Sequence, residues 1–275
     1  MKILRRTGLY GVLLIGALLS IGPYLMTLNA SVKQPRDVLT TDAWAPAHPV
    51  TFANFRSVWS QYDMSGFLLH TFVVAVIVTV AQVVVNCLAA YAFGRMDFPG
   101  RDALFWGYVA TMMVPQIVTL VPLFLMMRQL NLVDTYPGLI LPFVFGFWGP
   151  YGIFLVRQYF RTIPRDLESA ARIDGAGTWT VLLRIMLPLS RPILATLAII
   201  TFVNTWNNLL WPLIITNSDR TRVVTVGIAT LQGVHISDLP HVVLAGAALA
   251  LIPLVAVFLL FQRHIVRSIA LTGLK

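Results

Sequence analysis

Six long apolar stretches dominate the hydropathy pattern of this chain. They lie at about Leu9–Leu28, Phe67–Phe93, Ala103–Met127, Pro137–Val156, Pro192–Thr216 and Val242–Phe261. A membrane helix needs about 20 mostly apolar residues to cross a hydrocarbon layer roughly 30 Å thick. Each stretch meets that length, and each predicts one transmembrane helix. The first also follows Lys2, Arg5 and Arg6, as a secretion leader would. Its apolar core is too long for a typical leader, and Leu28-Asn29-Ala30 makes a poor cleavage site.

The charged residues lie between these stretches. Only 11% of the chain is charged, against about 25% in soluble domains. The net charge of +9 therefore reads as a topology signal and not as a nucleic-acid footprint, because basic residues accumulate on the cytoplasmic side of membrane proteins. With the amino terminus inside, 14 of the 20 basic residues fall on that side: Lys2, Arg5, Arg6, Arg95, Arg101, Arg157, Arg161, Arg165, Arg172, Arg184, Arg191, Arg263, Arg267 and Lys275. The expected fold is all-α, a polytopic bundle of six helices with both termini cytoplasmic. Residues 1–275 then form one transmembrane domain, with a long outer loop at Ser31–Gly66 and a long, charged inner loop at 158–191.

Several chemistries are excluded. The six stretches hold no Asp, Glu, Lys or Arg, whereas proton-coupled carriers place ionisable relays inside the membrane. None of the five histidines, His48, His70, His235, His241 and His264, lies deep in a stretch. There is no phosphate-binding GxxxxGK[ST] loop and no GxSxG or HExxH pattern. Cys87 is the single cysteine, so no internal disulfide or CxxC metal site exists. The chain reads as no enzyme, with no cofactor and no metal. If its transport is active, a partner supplies the energy.

Polar residues inside the stretches form two stripes. Asn204, Asn207, Asn208 and Trp211 recur at i, i+3, i+4 and i+7, one face of the fifth helix. Thr79, Gln82 and Asn86 mark a face of the second. Two readings stay open. These groups bond between helices, or they line a water-filled translocation path and meet solute hydroxyls. Amides both donate and accept, which suits sugars. Trp206 either packs or stacks on a sugar ring. Gly146, Gly149 and Gly152 read as sites of close helix approach. Pro115, Pro122, Pro142, Pro150, Pro212 and Pro253 are expected to kink or break helices.

The inner loop predicts two short helices. Pro164 suits a first turn, Asp166 and Glu168 suit the positive end of the dipole, and Gly175 suits a left-handed stop. A second helix spans about Thr178–Met186, with Val181, Leu182, Ile185 and Met186 at helical spacing. Glu168-Ser169-Ala170-Ala171-Arg172-Ile173-Asp174-Gly175-Ala176, followed by Ile185-Met186-Leu187-Pro188, resembles the EAA loop of ABC importer permeases, roughly E-A-A-x-x-D-G-A and then I-x-L-P. The family glutamate stands five residues before the aspartate. Ser169 holds that position here, and the acid is one residue earlier, at Glu168.

Further segments resemble the carbohydrate-uptake branch of that family, on the side of the maltose-type or glycerol-3-phosphate-type second permease. They are Asn29-Ala30-Ser31-Val32-Lys33, Thr51-Phe52-Ala53-Asn54-Phe55, Ala90-Tyr91-Ala92-Phe93-Gly94-Arg95 with Phe98-Pro99-Gly100-Arg101, Leu132-Val133-Asp134-Thr135-Tyr136, and Trp206-Asn207-Asn208 with Trp211-Pro212-Leu213. The resemblance implies a type I ABC importer permease in the bacterial cytoplasmic membrane, importing a sugar or sugar-like solute by alternating access. It implies a second permease subunit, two ATP-binding ATPase subunits and an extracytoplasmic solute-binding protein. It implies that Glu168, Ser169, Ala170, Ala171, Asp174, Gly175, Ala176 and Pro188 form the loop that couples to the ATPases, and that Thr272-Gly273-Leu274-Lys275 touches them too. Rival solutes are glycerol-3-phosphate, a glycerophosphodiester or a polyol. A rival of another class is an ATP-independent carrier.

Overall fold

The computed structural model describes residues 2–235 and 240–272, and among these every regular element is helical. In chain order they are α1 (Lys2–Ser31), α2 (Asp37–Thr40), α3 (Ala53–Gln61), α4 (Met64–Arg95), α5 (Arg101–Ala110), α6 (Gln116–Gln129), α7 (Tyr136–Pro142), α8 (Gly149–Thr162), α9 (Arg165–Ile173), α10 (Thr178–Val181), α11 (Leu187–Leu189), α12 (Arg191–Trp206), α13 (Leu210–Ile215), α14 (Val224–His235) and α15 (Pro240–Thr272). A 3₁₀ turn follows α5, and π-helical turns follow α7 and α10.

Three helices hold a continuous stretch long and apolar enough to cross a membrane: Gly8–Ser31, Met64–Arg95 and Pro240–Gln262. Three more crossings are available only as bent pairs: Arg101–Met113 with Gln116–Gln129 (101°), Tyr136–Phe147 with Gly149–Thr162 (47°), and Thr178–Leu189 with Arg191–Trp206 (78°). Proline accounts for the sharpest break. It lacks an N–H and pushes its predecessor out of the helical region. Val114, before Pro115, is extended at φ −81°, ψ 118°.

The chain divides into two compact units: Met1–Leu68 with Val226–Pro253, and Leu69–Thr225 with Leu254–Lys275. In the first, the side chains of α1 from Leu9 to Leu25 are mostly exposed and apolar, a surface suited to lipid and not to water. The long loop after α1 is more ordered than its composition suggests. The Asn29 amide donates to the Ala43 and Ala45 carbonyls, at 3.2 and 2.9 Å, and its oxygen accepts from Ala47 N–H. The Asn54 amide donates to the Ser31 and Lys33 carbonyls, both at 2.8 Å. Two asparagines thus replace the backbone ladder that a loop lacks.

In the second unit a core of Cys87, Ala90, Tyr91, Val156, Phe160, Val181, Leu182, Met186 and Leu197 joins α4, α8, the α10 turn and α12. The expected fifth crossing, Pro192–Thr216, is interrupted. Helix α12 stops at Trp206, and α13 begins at Leu210. Pro212 would clash with the carbonyl of residue 208 in a continuous helix. That carbonyl instead accepts the Thr225 hydroxyl at 2.8 Å, and the Asn208 side chain caps α13 by accepting from Trp211 N–H at 3.2 Å.

Candidate functional site

The segment from Pro164 to Leu189 builds a compact helical module. Helix α9 starts after Pro164, which is extended at φ −56°, ψ 135°. It ends at Gly175, where φ is +82°. Gly175 N–H donates to the Arg172 carbonyl (3.0 Å) and Ala176 N–H to the Ala171 carbonyl (2.8 Å). This pair of bonds is the Schellman stop that glycine permits. Val181, Leu182 and Met186 bury into the core of the second unit, and Ala171 and Ala176 pack against it. The outward side is mixed. Arg165, Asp166, Ser169, Ala170, Arg172, Asp174 and Pro188 are exposed. So are Ile173 at 86% and Trp179 at 66%. Two large apolar side chains projecting from a charged helix pair form a surface that suits a protein partner.

Glu168 behaves differently from its neighbours. It is only 7% exposed, and its carboxylate lies 3.0 Å from an Arg95 Nη1 at the end of α4. The other Nη of Arg95 donates to the carbonyls of Phe160, in the last turn of α8, and Ile163, the residue after it. Arg157, on α8, returns the arrangement. Its Nε donates to the Phe93 carbonyl at the end of α4 (3.0 Å), and its Nη2 reaches Asp102 at 3.2 Å. Its guanidinium also sits 3.8 Å over the Phe105 ring. Each helix therefore has carbonyls at its carboxyl end met by an arginine of the other, where a positive charge also meets the negative end of the dipole.

Of the residues expected to line a path, Gln82, Asn86 and Trp206 are buried in the packing, and the Thr79 hydroxyl and Asn86 amide have no hydrogen-bond partner among the described residues. Gln82 is fully buried, donates to the Phe143 carbonyl at the π turn, and accepts from the Thr201 hydroxyl at 3.2 Å. Asn86 is fully buried against Gly152, where a Cβ would collide with its amide. Trp206 is 2% exposed and stacks on Phe202, with ring centroids 5.6 Å apart. Thr79 and Asn204 are half-buried. Asn207 lies just past α12, its amide donating to the Val203 carbonyl at 2.9 Å. The four-residue stripe through Trp211 does not form one helical face, because the helix ends before Asn207. Among the glycines, Gly149 and Gly152 meet close neighbours, whereas a Cβ on Gly146 would meet nothing. The tail Gly273–Lys275 lies outside the described residues.

A cavity of about 940 Å³ opens instead between the broken pair α5/α6 and the α7/α8 bend. Tyr108, Thr111, Gln116, Thr119, Trp148 and Tyr151 are among its lining residues. Its wall is largely apolar, with these groups set into it. The Gln116 Nε2 is buried and has no hydrogen-bond partner among the described residues. The sequence carried a partial signal of this place, the expected helix breakers Pro115 and Pro150. Irregular backbone at membrane depth is tolerated where it is buried in protein or lines a water-filled cavity.

A separate clasp joins the segment after α6 to that after α13. Asp134 accepts from Asn217 N–H (3.0 Å), Ser218 N–H (3.2 Å) and the Thr221 hydroxyl. Burial pushes the Asp134 carboxyl up, but these hydrogen bonds outweigh it and hold the group well below the usual carboxylate range.

Residues 86–271 match the family described as binding-protein-dependent transport system inner membrane component. The chain belongs to this family. Relatives of the permease are subunits of uptake systems for sugars and for sn-glycerol-3-phosphate. It is 30% identical to the diacetylchitobiose uptake permease of Streptomyces coelicolor over 95% of this chain and 86% of that one. It is 35% identical to the trehalose transport permease of Mycobacterium tuberculosis, covering 92% of each. It is also 33% identical to the sn-glycerol-3-phosphate permease of Rhizobium meliloti, covering 94% of each. The permease shares its fold with a chain of a bacterial ABC transporter that imports alginate (TM-score 0.80, 23% identity, 96% of this chain and 98% of that one). A second solved structure shows a bacterial alginate ABC transporter with an alginate-bound periplasmic protein (TM-score 0.67, 15% identity, 96% of this chain and 94% of that one). The chain is thus a membrane subunit of the sugar ABC importer class, and its homologues are transport subunits, not enzymes.

Proposed function

We propose that this permease is one of two membrane subunits of an ATP-driven importer in the bacterial cytoplasmic membrane, carrying a saccharide by alternating access. The observation that carries this reading is the module of α9 to α11. It is rooted in the core, capped by a Schellman stop, and presents Ile173 and Trp179 outward. That is the form expected of a rigid stub seated in an ATPase cleft on the cytoplasmic side. Asp174, Gly175, Ala176 and Pro188 belong to this stub, with Ser169 and Ala170 on its outer side. A solute-binding protein docks on the opposite side of the membrane and delivers the solute. Along the path, the solute passes the cavity beside Gln116, whose free amide donor and aromatic neighbours suit a sugar.

The decisive test is ATP hydrolysis by the assembled complex in lipid nanodiscs, comparing wild type with Ile173→Asp. If Ile173 is an interface hot spot, its loss costs about 2 kcal/mol, so docking of the ATPase weakens roughly 30-fold. Loss of co-purifying ATPase supports the reading. An ATPase that stays bound and stimulated removes Ile173 from the docking surface, and solute uptake without ATP makes the protein a carrier. A second solute class, a phosphorylated polyol, is raised by the glycerol-3-phosphate relative, whose 33% identity lies between those of the diacetylchitobiose and trehalose permeases. Stimulation of hydrolysis by binding protein loaded with glycerol-3-phosphate but not with trehalose selects it.

A further inference from the structure

The acid of the module points into the protein and not toward a partner. Glu168 is 7% exposed, whereas the next residue, Ser169, is exposed and its hydroxyl donates to the Arg165 carbonyl one turn back at 3.2 Å. The Glu168 carboxylate meets Arg95, whose side chain is 2% exposed. Arg95 simultaneously takes the carbonyls of Phe160 and Ile163. Those carbonyls close α8, and Pro164 separates them from α9. One guanidinium therefore holds both sides of the α8–α9 elbow, and it is carried by the last residue of α4. A guanidinium suits this place because its fixed fork of donors can serve several acceptors in one plane.

We infer that Glu168 and Arg95 are a positioning pair. They fix the angle of α9 to the bundle and pass its displacement to α4 and α8, and Glu168 makes no contact with the ATPase. The inference rests on the coupling role proposed above. The docking surface then draws its acidity from Asp166 and Asp174, both exposed. A buried charge left without its partner is strongly unfavourable. Removing either member is therefore expected to release α9 while leaving the outward surface chemically intact.

The test uses the assembled complex in nanodiscs and the variants Glu168→Ala, Arg95→Met and both together. Amide hydrogen exchange over residues 166–174 reads the anchoring, and ATPase co-purification reads docking. Stimulation of hydrolysis by binding protein loaded with trehalose or glycerol-3-phosphate reads coupling. Each single variant is expected to speed exchange in α9 and to lower stimulation at least about fivefold, with the ATPase still bound. The double variant is expected to be no worse than Arg95→Met, as for two residues acting as one unit. Unchanged exchange in α9, fully multiplicative effects, or release of the ATPase with α9 still protected would each overturn the inference. If the wild-type complex binds no ATPase, the coupling role fails, and the exchange arm still judges the anchor alone.

Discussion

Single side chains decide much of this structure through hydrogen bonds to backbone. Asp134 is the clearest case, holding two backbone N–H groups and one hydroxyl. Its folded-state pKa is depressed, so the stability that it contributes is fully present above the unfolded value of about 3.9 and is lost as pH falls toward the lower folded value. Asp134→Ala is expected to lower stability by about 2–3 kcal/mol at pH 7, read by thermal unfolding in detergent. The gap to wild type should shrink as pH drops below about 4. Gly138 is a second such residue. A Cβ there would strike the Leu132 carbonyl, which is backbone and cannot swing aside. Gly138→Ala is expected to cost about 1–3 kcal/mol. It should also disturb the bond from Trp211 Nε1 to the Gly138 carbonyl (3.1 Å), visible as a change in tryptophan fluorescence.

At the scale of elements, three of the expected stretches coincide within about three residues with the continuous apolar parts of α1, α4 and α15, although α1 begins earlier at Lys2 and α15 runs on to Thr272, because a long uniform apolar run admits little besides a helix. The α9 stop was legible too, since Gly175 is where a helix of this length needs a left-handed residue. Gly175→Ala meets no steric obstacle, but it must adopt φ +82°. The expected loss is about 1 kcal/mol, seen as faster amide exchange at the end of α9. The asparagine stripe was misleading because spacing alone assumes an unbroken helix. Pro212 was visible, yet its consequence four residues upstream depended on Thr225 offering the freed carbonyl a donor. The pairing of Arg95 with Glu168, 73 positions apart, leaves no trace in local pattern. Neither does the reciprocal capping by Arg157.

For the whole molecule, composition and hydropathy led to a polytopic helical membrane protein, and the resemblance of the inner loop and of further segments to a known family led to an importer permease. The prolines at the breaks were visible in the sequence but the cavity between them was not, because its wall is assembled from two broken helix pairs whose bends of 101° and 47° set its position. If this cavity lies on the solute path, Gln116→Leu keeps the shape and removes the amide. Uptake by reconstituted proteoliposomes is expected to fall about tenfold, the effect of one lost hydrogen bond to a polar solute of about 1.4 kcal/mol. Hydrolysis stimulated by the binding protein should persist. Equal uptake by the variant would place the path elsewhere.

The exchange of arginines between α4 and α8 also bears on how the chain is made. Arg95 finds its carbonyl acceptors 65 and 68 residues further on. At synthesis rates of roughly 5–20 residues per second, those acceptors emerge about 3–14 s after Arg95 does. During that interval the guanidinium must rest among lipid headgroups or water at the bilayer edge. The carboxyl end of α4 therefore reaches its final seat only once α8 is inserted. A ribosome stalled between Arg95 and Phe160 is expected to hold α4 in a position that an engineered cysteine near residue 93 reports as water-accessible, and release of the full chain to protect it.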